Sequence, residues 1–522
     1  MNRIPIVVGV TGHRKLRLED YPLLKEKVKI ELKKIKNLVP NSDLVLLDSL
    51  ALGGDTICAE VAMGLGYEIE VPLPFEIDEY RKDFDEENLK VFNEQIKKSK
   101  KVYELNKISD LSNRDDGYKD AGLYIATHSH IIIALWDGEK GKPDGCGSAE
   151  FVDYVREGFD PSLVIPTPFI SIIHISAIRE GKQGDAGIVK YYERKNGDMK
   201  SLLKNTDNFN RDANRKELKE YDLIERHDNE VINDIHALYK KADSLSNHYQ
   251  RKYLSTLRIC SILGVGVILS LLFYNQTDIF WLLILYAAFP IVSKIVVEFA
   301  NRGKYLERYI ETRSLAESCR VQLFALLSGI NRSVAYAYPW TIREDNDWII
   351  KAMMSKLSFD KNFKANKEEA RKFIEEQLTY HTKALAKEDK NNKKAKRSTK
   401  IMDYITIVNY LLVALAVFSG ISMFMEQLFV IGTYSFTYNS LFKLSLGVVS
   451  AIATLAKNYY GKLSLSRKVE DHKRYIELYT EALKRIDNNN EQYIWELIRE
   501  ELNENSSWRS YMKSNEPSVI IK

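Results

Sequence analysis

The sequence predicts a doubly wound α/β domain at the N-terminus, followed by an all-α membrane domain with two transmembrane helical hairpins. Three observations carry this. Short β-branched runs alternate with helical periodicity over residues 1–180. Four long apolar blocks interrupt the later, charged half of the chain. Basic residues flank these blocks on one side only. The remaining composition is ordinary: of 522 residues, 45% are hydrophobic and 28% charged, which suits roughly three to four domain-sized units. The 76 basic and 72 acidic residues leave a net charge of +4, which points away from nucleic acid as a partner. The four cysteines are far apart with no CxxC pair, so a disulfide scaffold and a zinc ribbon are excluded and a reducing compartment fits.

The N-terminal elements follow in order. Ile4–Val10 is a short strand ending in glycine, and Glu19–Leu38 has helical spacing through Leu23, Leu24, Val28, Ile30 and Leu32. Asp43–Leu50 reads as a strand, Thr56–Leu65 as a helix and Tyr67–Val71 as a strand. Asp85–Ser99 is a helix, Val102–Leu105 a strand and Tyr118–His128 a helix. His130–Trp136 reads as a fully buried strand, Ser148–Gly158 as a helix, and Ile170–Ser176 closes the series. Such alternation predicts a largely parallel sheet with helices on both faces, and ligands at the carboxyl ends of its strands. Residues 181–227 are polar and charged, and read as a linker or mobile loop.

The apolar blocks define the rest. Residues 228–400 are expected to hold the first hairpin, with spans 259–274 and 279–297, and residues 401–522 the second, with spans 404–425 and 441–456. Only Tyr404–Met425 reaches the ~20 residues that span a bilayer comfortably, so two buried core hairpins are the alternative. The loop charges favour the membrane. Asn275–Asp278 and Glu426–Ser440 contain no Lys or Arg, whereas Arg251, Lys252, Arg302, Lys304, the Lys393–Lys400 run and Lys457 lie at the opposite ends. This is the positive-inside pattern for a multi-pass protein of the cytoplasmic (inner) membrane with both termini cytoplasmic. No secretory signal is read before Ile4. Ala416 and Gly420, and Gly447 and Ala451, are small residues four apart that suit close helix packing. Asn409, Ser419, Ser450 and Thr454 are polar at membrane depth and read as interhelical hydrogen bonders or pore lining. Tyr305–Glu311 and Tyr475–Glu481 share the pattern Y-[LI]-E-x-Y-x-E, a candidate internal repeat.

Chemistry-bearing residues gather at strand ends. Thr11, Gly12, His13 and Arg14 follow the first strand; Gly53, Gly54 and Asp55 follow the second and open a helix. Asp137 and Gly138 follow the buried strand, and Gly145, Gly147, Ser148 and Glu150 open the next helix. Glycine admits a phosphate close to the backbone, and a helix start donates free N–H groups to it. Three such loops together predict an anionic, nucleotide-sized ligand; each alone is equally an ordinary α/β turn. His13 reads either as a ligand contact or as turn packing, and His128 and His130 as structural. The acidic run Glu76, Asp78, Glu79, Asp83, Asp85, Glu86 and Glu87 reads as a solvated face. No catalytic triad, metal-ligand set or cofactor motif is read.

VGVTGHR, SLALGGD, the LPF of Leu73–Phe75 and DGEKGKPDGCGSAE resemble, in that order, the SLOG superfamily. This Rossmann-like group includes the LOG phosphoribohydrolases, the DNA-processing DprA proteins and nucleotide-sensing regions of TRPM channels. The remainder is similar in architecture to SLATT-type two-transmembrane effectors of bacterial defence systems. The resemblance implies a cytoplasmic sensor of an ADP-ribose-like or cyclic nucleotide messenger, supplied by a messenger-producing enzyme. It also implies homo-oligomeric helices that open a pore or disrupt the bilayer in antiphage defence. LOG enzymes carry PGGxGTxxE; here Glu150 falls two residues after Ser148 and Phe151 holds the third place, about 100° away around the helix. That departure weighs against an enzyme. The alternatives are a membrane-tethered hydrolase of a nucleotide N-glycosidic bond and a passive nucleotide-binding scaffold.

Overall fold

The computed structural model describes residues 3–142, 145–157, 170–193, 198–215, 218–338, 347–357, 367–419, 427–431, 434–437, 444–445, 447–449, 452–453, 460, 465–486 and 491–514. The chain forms two compact units. The first comprises Met1–Leu245, Ser314–Ala365 and Ile498–Ser506; the second comprises Ser246–Arg313, Asn366–Leu497 and Ser507–Lys522.

The first unit is built on a seven-stranded sheet in the order β4-β3-β2-β1-β5-β6-β7. Its strands are β1 (Ile6–Gly12), β2 (Leu44–Leu47), β3 (Glu68–Leu73), β4 (Lys101–Glu104), β5 (Ile131–Trp136), β6 (Ser171–Ser176) and β7 (Val189–Tyr192). The first six run parallel, and β7 pairs antiparallel with β6. Every residue of β1, β2 and β5 is buried, as expected for near-continuous apolar strands covered on both faces. On β5, Ile131, Ile133 and Leu135 pack with α1 (Tyr21–Leu38), α2 (Gly54–Gly64) and α4 (Glu86–Lys98), beyond the short α3 (Ile77–Tyr80). The alternate residues Ile132, Ala134 and Trp136 pack with α5 (Arg114–His128) and α6 (Ser148–Glu157) on the other face. The chain steps outward from β1 to β4, then returns to the far side of β1 as β5. A crevice therefore opens where the β1 and β5 carboxyl ends diverge.

Element ends move where capping residues decide them. α5 begins at Arg114 instead of Tyr118 because the Asn113 side chain accepts the Asp116 N–H at 3.0 Å. The polar stretch 181–227, read from sequence as a linker, contains β7 and α7 (Met199–Ala213). Asp207 on α7 accepts hydrogen bonds from Asn41 N, Asn41 Nδ2 and Ser42 Oγ at 2.8–2.9 Å. Asn210 accepts the Ile4 N–H at 2.9 Å and donates to the Ile4 carbonyl at 2.8 Å, both buried. The polarity taken for solvation is spent on tying α7 to the entry of β1. Part of the acidic run has fixed partners, while Asp78, Glu86 and Glu87 are exposed as read. Asp85 caps α4, Glu76 accepts the Ile108 N–H at 3.0 Å, and Glu79 and Asp83 hold Arg114.

The rest of the chain is mostly helical: α8 (Glu230–Thr277), α9 (Phe280–Arg302), α10 (Tyr305–Leu327), α11 (Asp347–Met354), α12 (Lys367–Ser419), α13 (Leu465–Arg485) and α14 (Glu491–Ser514). In the first unit Arg320 pairs with Glu317 at 2.7 Å and with Glu501 of α14 at 3.0 Å. Among the described residues, two helices, within Glu230–Asn275 and Phe280–Leu327, are long and apolar enough to cross a membrane, with mean hydropathy 2.1 in their most apolar stretches. Phe280, Trp281, Ile291 and Phe299 of α9 stand exposed. Within the second unit, a Cβ on Gly266 would lie 2.7 Å from the Phe289 ring, so Gly266 serves helix packing. A Cβ on Gly447 would likewise meet Leu272 at 2.7 Å. The third apolar block continues α12 to Ser419, with Tyr404, Ile407 and Leu411 exposed. Its end, with Gly420, lies outside the described residues, as do Ser450, Ala451, Thr454 and most of the fourth block. Between the two blocks, where the sequence suggests only a loop, β8 (Gln427–Ile431) and β9 (Tyr434–Thr437) pair antiparallel.

Candidate functional site

A cleft of about 680 Å³ lies at the β1 and β2 carboxyl ends, bounded by α5 and the start of α6. Its size is within the usual range for small-molecule sites. Thr11, Gly12, His13 and Arg14 line it from β1, and Ser49, Ala51 and Asp55 from the β2–α2 turn. Asp115, Tyr118, Lys119 and Asp120 contribute from α5, and Cys146, Gly147, Ser148 and Phe151 from the start of α6.

The glycines at this end let two backbones meet. A Cβ on Gly12 would fall 2.6 Å from Gly54 Cα, and one on Gly54 would fall 2.7 Å from Gly12 Cα. The Gly54 N–H donates to the His13 carbonyl at 3.0 Å, so the end of β1 rests on the first turn of α2. Gly53 and Gly54 thus shape the wall from behind and do not line the cleft.

Arg14 is half-exposed, with its guanidinium 5.1 Å from the centre of the Tyr118 ring and 3.9 Å from Asp83. Asp83 in turn accepts from the Tyr118 hydroxyl and, at 2.6 Å, from Arg114. Arg114 also pairs with Glu79 and lies over Phe75, 4.6 Å from the ring centre. Arg114 is therefore committed to the fold, whereas Arg14 projects along the cleft, where its charge also acts on the Asp55 carboxyl.

His13 Nε2 lies 3.1 Å from Asp137 Oδ1. Burial, outweighing the Asp137 charge, lowers the His13 pKa and favours the neutral ring. Burial raises the pKa of Asp137, but bonds from His13, the Glu139 N–H and Arg179 prevail and hold it below the usual carboxylate range. Arg179 reaches it at 2.6 Å. Asp137 and Gly138 thus stand behind His13 and do not line the cleft.

Glu150 folds back over its own loop. It accepts the Lys142 N–H at 2.7 Å and the Gly147 N–H at 3.1 Å, the second being the return bond of a capping box. Gly145 packs against the same carboxylate. Neither Glu150 nor Gly145 lines the cleft; Gly147 and Ser148 do. Burial first, then a hydrogen bond to Asp115, pushes the Cys146 thiol up and away from thiolate chemistry.

Tyr80 and Tyr118 line the cleft and are site residues that sequence reasoning passes over, because no strand-end pattern marks them; Asp83, read as part of a solvated face, instead accepts from Tyr118 and Arg114 beside the cleft. His128 and His130 have structural partners: His128 Nδ1 is 2.9 Å from the Tyr124 carbonyl, and His130 Nδ1 accepts the Val7 N–H at 3.2 Å. No group of three or more potential metal ligands occurs among the described residues. A scan against models of known protein families finds none that matches the chain, and no curated protein matches it.

Proposed function

We propose that the chain is a membrane effector whose α/β unit senses a nucleotide-derived signal. The observation that carries this reading is the cleft itself. It opens at the carboxyl ends of β1 and β2, with Arg14 beside Tyr118 and the first turn of α6 at Gly147–Ser148 on its wall. Phosphate oxygens would be held by Arg14, the Thr11–Arg14 loop and the α6 N-terminus. The base or ribose would lie against Tyr118 and Phe151. ADP-ribose-like and cyclic nucleotides suit the volume. Glu150 is engaged by its own loop, which supports sensing over N-glycosidic cleavage.

In this reading the apolar helices form two hairpins in the cytoplasmic membrane, with both termini cytoplasmic. Several copies assemble, and binding opens a path or disrupts the bilayer. A partner enzyme makes the messenger, in keeping with a role in antiphage defence. The test uses the purified full chain. Binding of ADP-ribose, NAD and cyclic nucleotides is measured by calorimetry, followed by dye release from liposomes carrying the protein. Release only with a bound nucleotide supports the reading. Binding without release leaves a scaffold, and turnover of the nucleotide identifies a hydrolase.

A further inference from the structure

We propose that His381 and His472 form an acid-released latch between α12 and α13, which holds the two helices together while at least one ring is neutral and parts them when both are charged. The latch stands on these two helices and does not rest on the nucleotide reading of the cleft.

His381 lies on the charged part of α12, well before the apolar block that begins at Tyr404. His472 lies on α13, which follows the fourth apolar block in the chain. His381 faces His472, and further along α12 Asn392 accepts from Ser466 Oγ at 3.1 Å, so the two helices run antiparallel. The Nδ1 atoms of the two histidine rings are 3.0 Å apart. His381 is only 7% exposed, with its ring stacked on that of Tyr475 at 4.6 Å between centres and that of Tyr479 at 5.5 Å. These two rings hold the imidazole against rotation. His472 is half-buried, so protons from water reach the pair through it.

A contact of this length between two ring nitrogens is a hydrogen bond in which one ring donates and the other accepts. One added proton is tolerated, because a charged donor strengthens the bond to a neutral acceptor. A second is not. Two charged rings would turn N–H against N–H at 3.0 Å with no lone pair between them. The rings therefore titrate as a pair, and the second proton is the one that breaks the contact.

The titratable and charged groups around the pair come from both helices. Tyr380 and Glu388 stand on α12, and Lys468, Asp471, Tyr475 and Tyr479 on α13. Asp471 is shared with Arg467 at 3.8 Å. Burial lowers the His472 pKa against the pull of Glu388 and Asp471, and Lys468 adds to the lowering. Parted rings, by contrast, take up protons below the ordinary 6.5. The contact is therefore complete above that pH and weakens as pH falls. Because α12 continues as one helix from His381 to Ser419, release of the latch frees the stretch that leads into the apolar residues.

The test measures amide exchange of the full chain in detergent by mass spectrometry between about pH 7.5 and pH 5, corrected for the intrinsic pH dependence of exchange. Protection of α12 and α13 around the latch is expected to fall about tenfold between about pH 6.5 and pH 5, as one extra proton is taken up on opening. His472→Gln, whose amide still donates to or accepts from His381 and carries no charge, is expected to match the wild type within about threefold at pH 7.5 and to lose most of the pH dependence. Wild-type protection that does not change over this range would overturn the proposal, however the variant behaves. So would an equal fall in His472→Gln, or stoichiometric Zn²⁺ binding at neutral pH that the variant loses, because a metal ion would then join the rings in place of the proton.

Discussion

His130 couples one buried ring to acid stability. Its Nδ1 accepts the Val7 N–H where β1 and β5 begin to pair. Burial, and secondarily the Lys351 charge, pushes the ring from its ordinary 6.5 down to about 3. The folded chain keeps it neutral while the unfolded chain gains a proton below 6.5. Stability from this group is therefore complete above that pH and is lost as pH falls towards 3. Between pH 7 and 5 the loss is about 2 kcal/mol. His130→Asn, which can still accept from Val7, should flatten the pH dependence of β1 and β5 amide exchange by about that amount; an unchanged slope would contradict it. Two neighbouring arginines give a second contrast. Arg14→Ala should weaken nucleotide binding by roughly 1.5–3 kcal/mol in calorimetry and leave the melting temperature nearly unchanged. Arg114→Ala, which strips Glu79 and Asp83 of their shared partner, should lower the melting temperature instead. The sequence marks Arg14 by its place after the first strand and gives no sign of Arg114, whose pairing follows from α5 starting there behind its Asn113 cap.

At the scale of elements, Asn210→Ala should cost about 2–4 kcal/mol, since the buried Ile4 N–H and carbonyl both lose their partner. Hydrogen exchange at the start of β1 would measure it, and protection equal to wild type would show that α7 does not secure this strand. α7 also marks the limit of pattern reading. Strands such as Ile131–Trp136 declare themselves because burial on both faces demands an unbroken apolar run. α7 does not, because its buried face includes Asp207, which accepts from Asn41 and Ser42, and Asn210, which donates to Ile4, residue types that also mark loops. The site divides similarly. The glycines and Arg14 are visible at strand ends, whereas the left-handed Leu50, bonded to Asp48 two residues before it, and Glu150, folded back on Lys142 and Gly147, depend on local turn geometry that residue type does not announce.

For the whole molecule, the two-hairpin topology predicts the accessibility of engineered cysteines. Thr277→Cys and Ser435→Cys should react with an impermeant thiol reagent on intact cells, and Lys390→Cys and Lys484→Cys only after lysis. Labelling of all four without lysis, or of neither loop site, would reject the topology. Four apolar segments with few polar residues would need several copies to enclose water. Taking such an assembly from 1:99 to 99:1 open requires about 5.5 kcal/mol of differential binding, which four sites could share at roughly tenfold each. Gly447→Leu, at the contact with Leu272, should impair assembly or dye release and leave nucleotide affinity unaltered. The division into a sheet and apolar helices was legible because composition changes abruptly along the chain. The β8–β9 pairing was not, because its short uncharged strands resemble any connection between apolar blocks.

The 53 residues of α12 carry a mechanical consequence. At ~1.5 Å per residue the helix is about 80 Å long. It passes from a charged sequence into an apolar one without a glycine or a proline. Sharp bends in helices arise chiefly at such residues, so α12 has no built-in hinge. α9, by contrast, contains Pro290. A stiff lever of this kind delivers rotation or tilt from its water-facing end to its apolar end with little slack. Work done on one end arrives as displacement at the other.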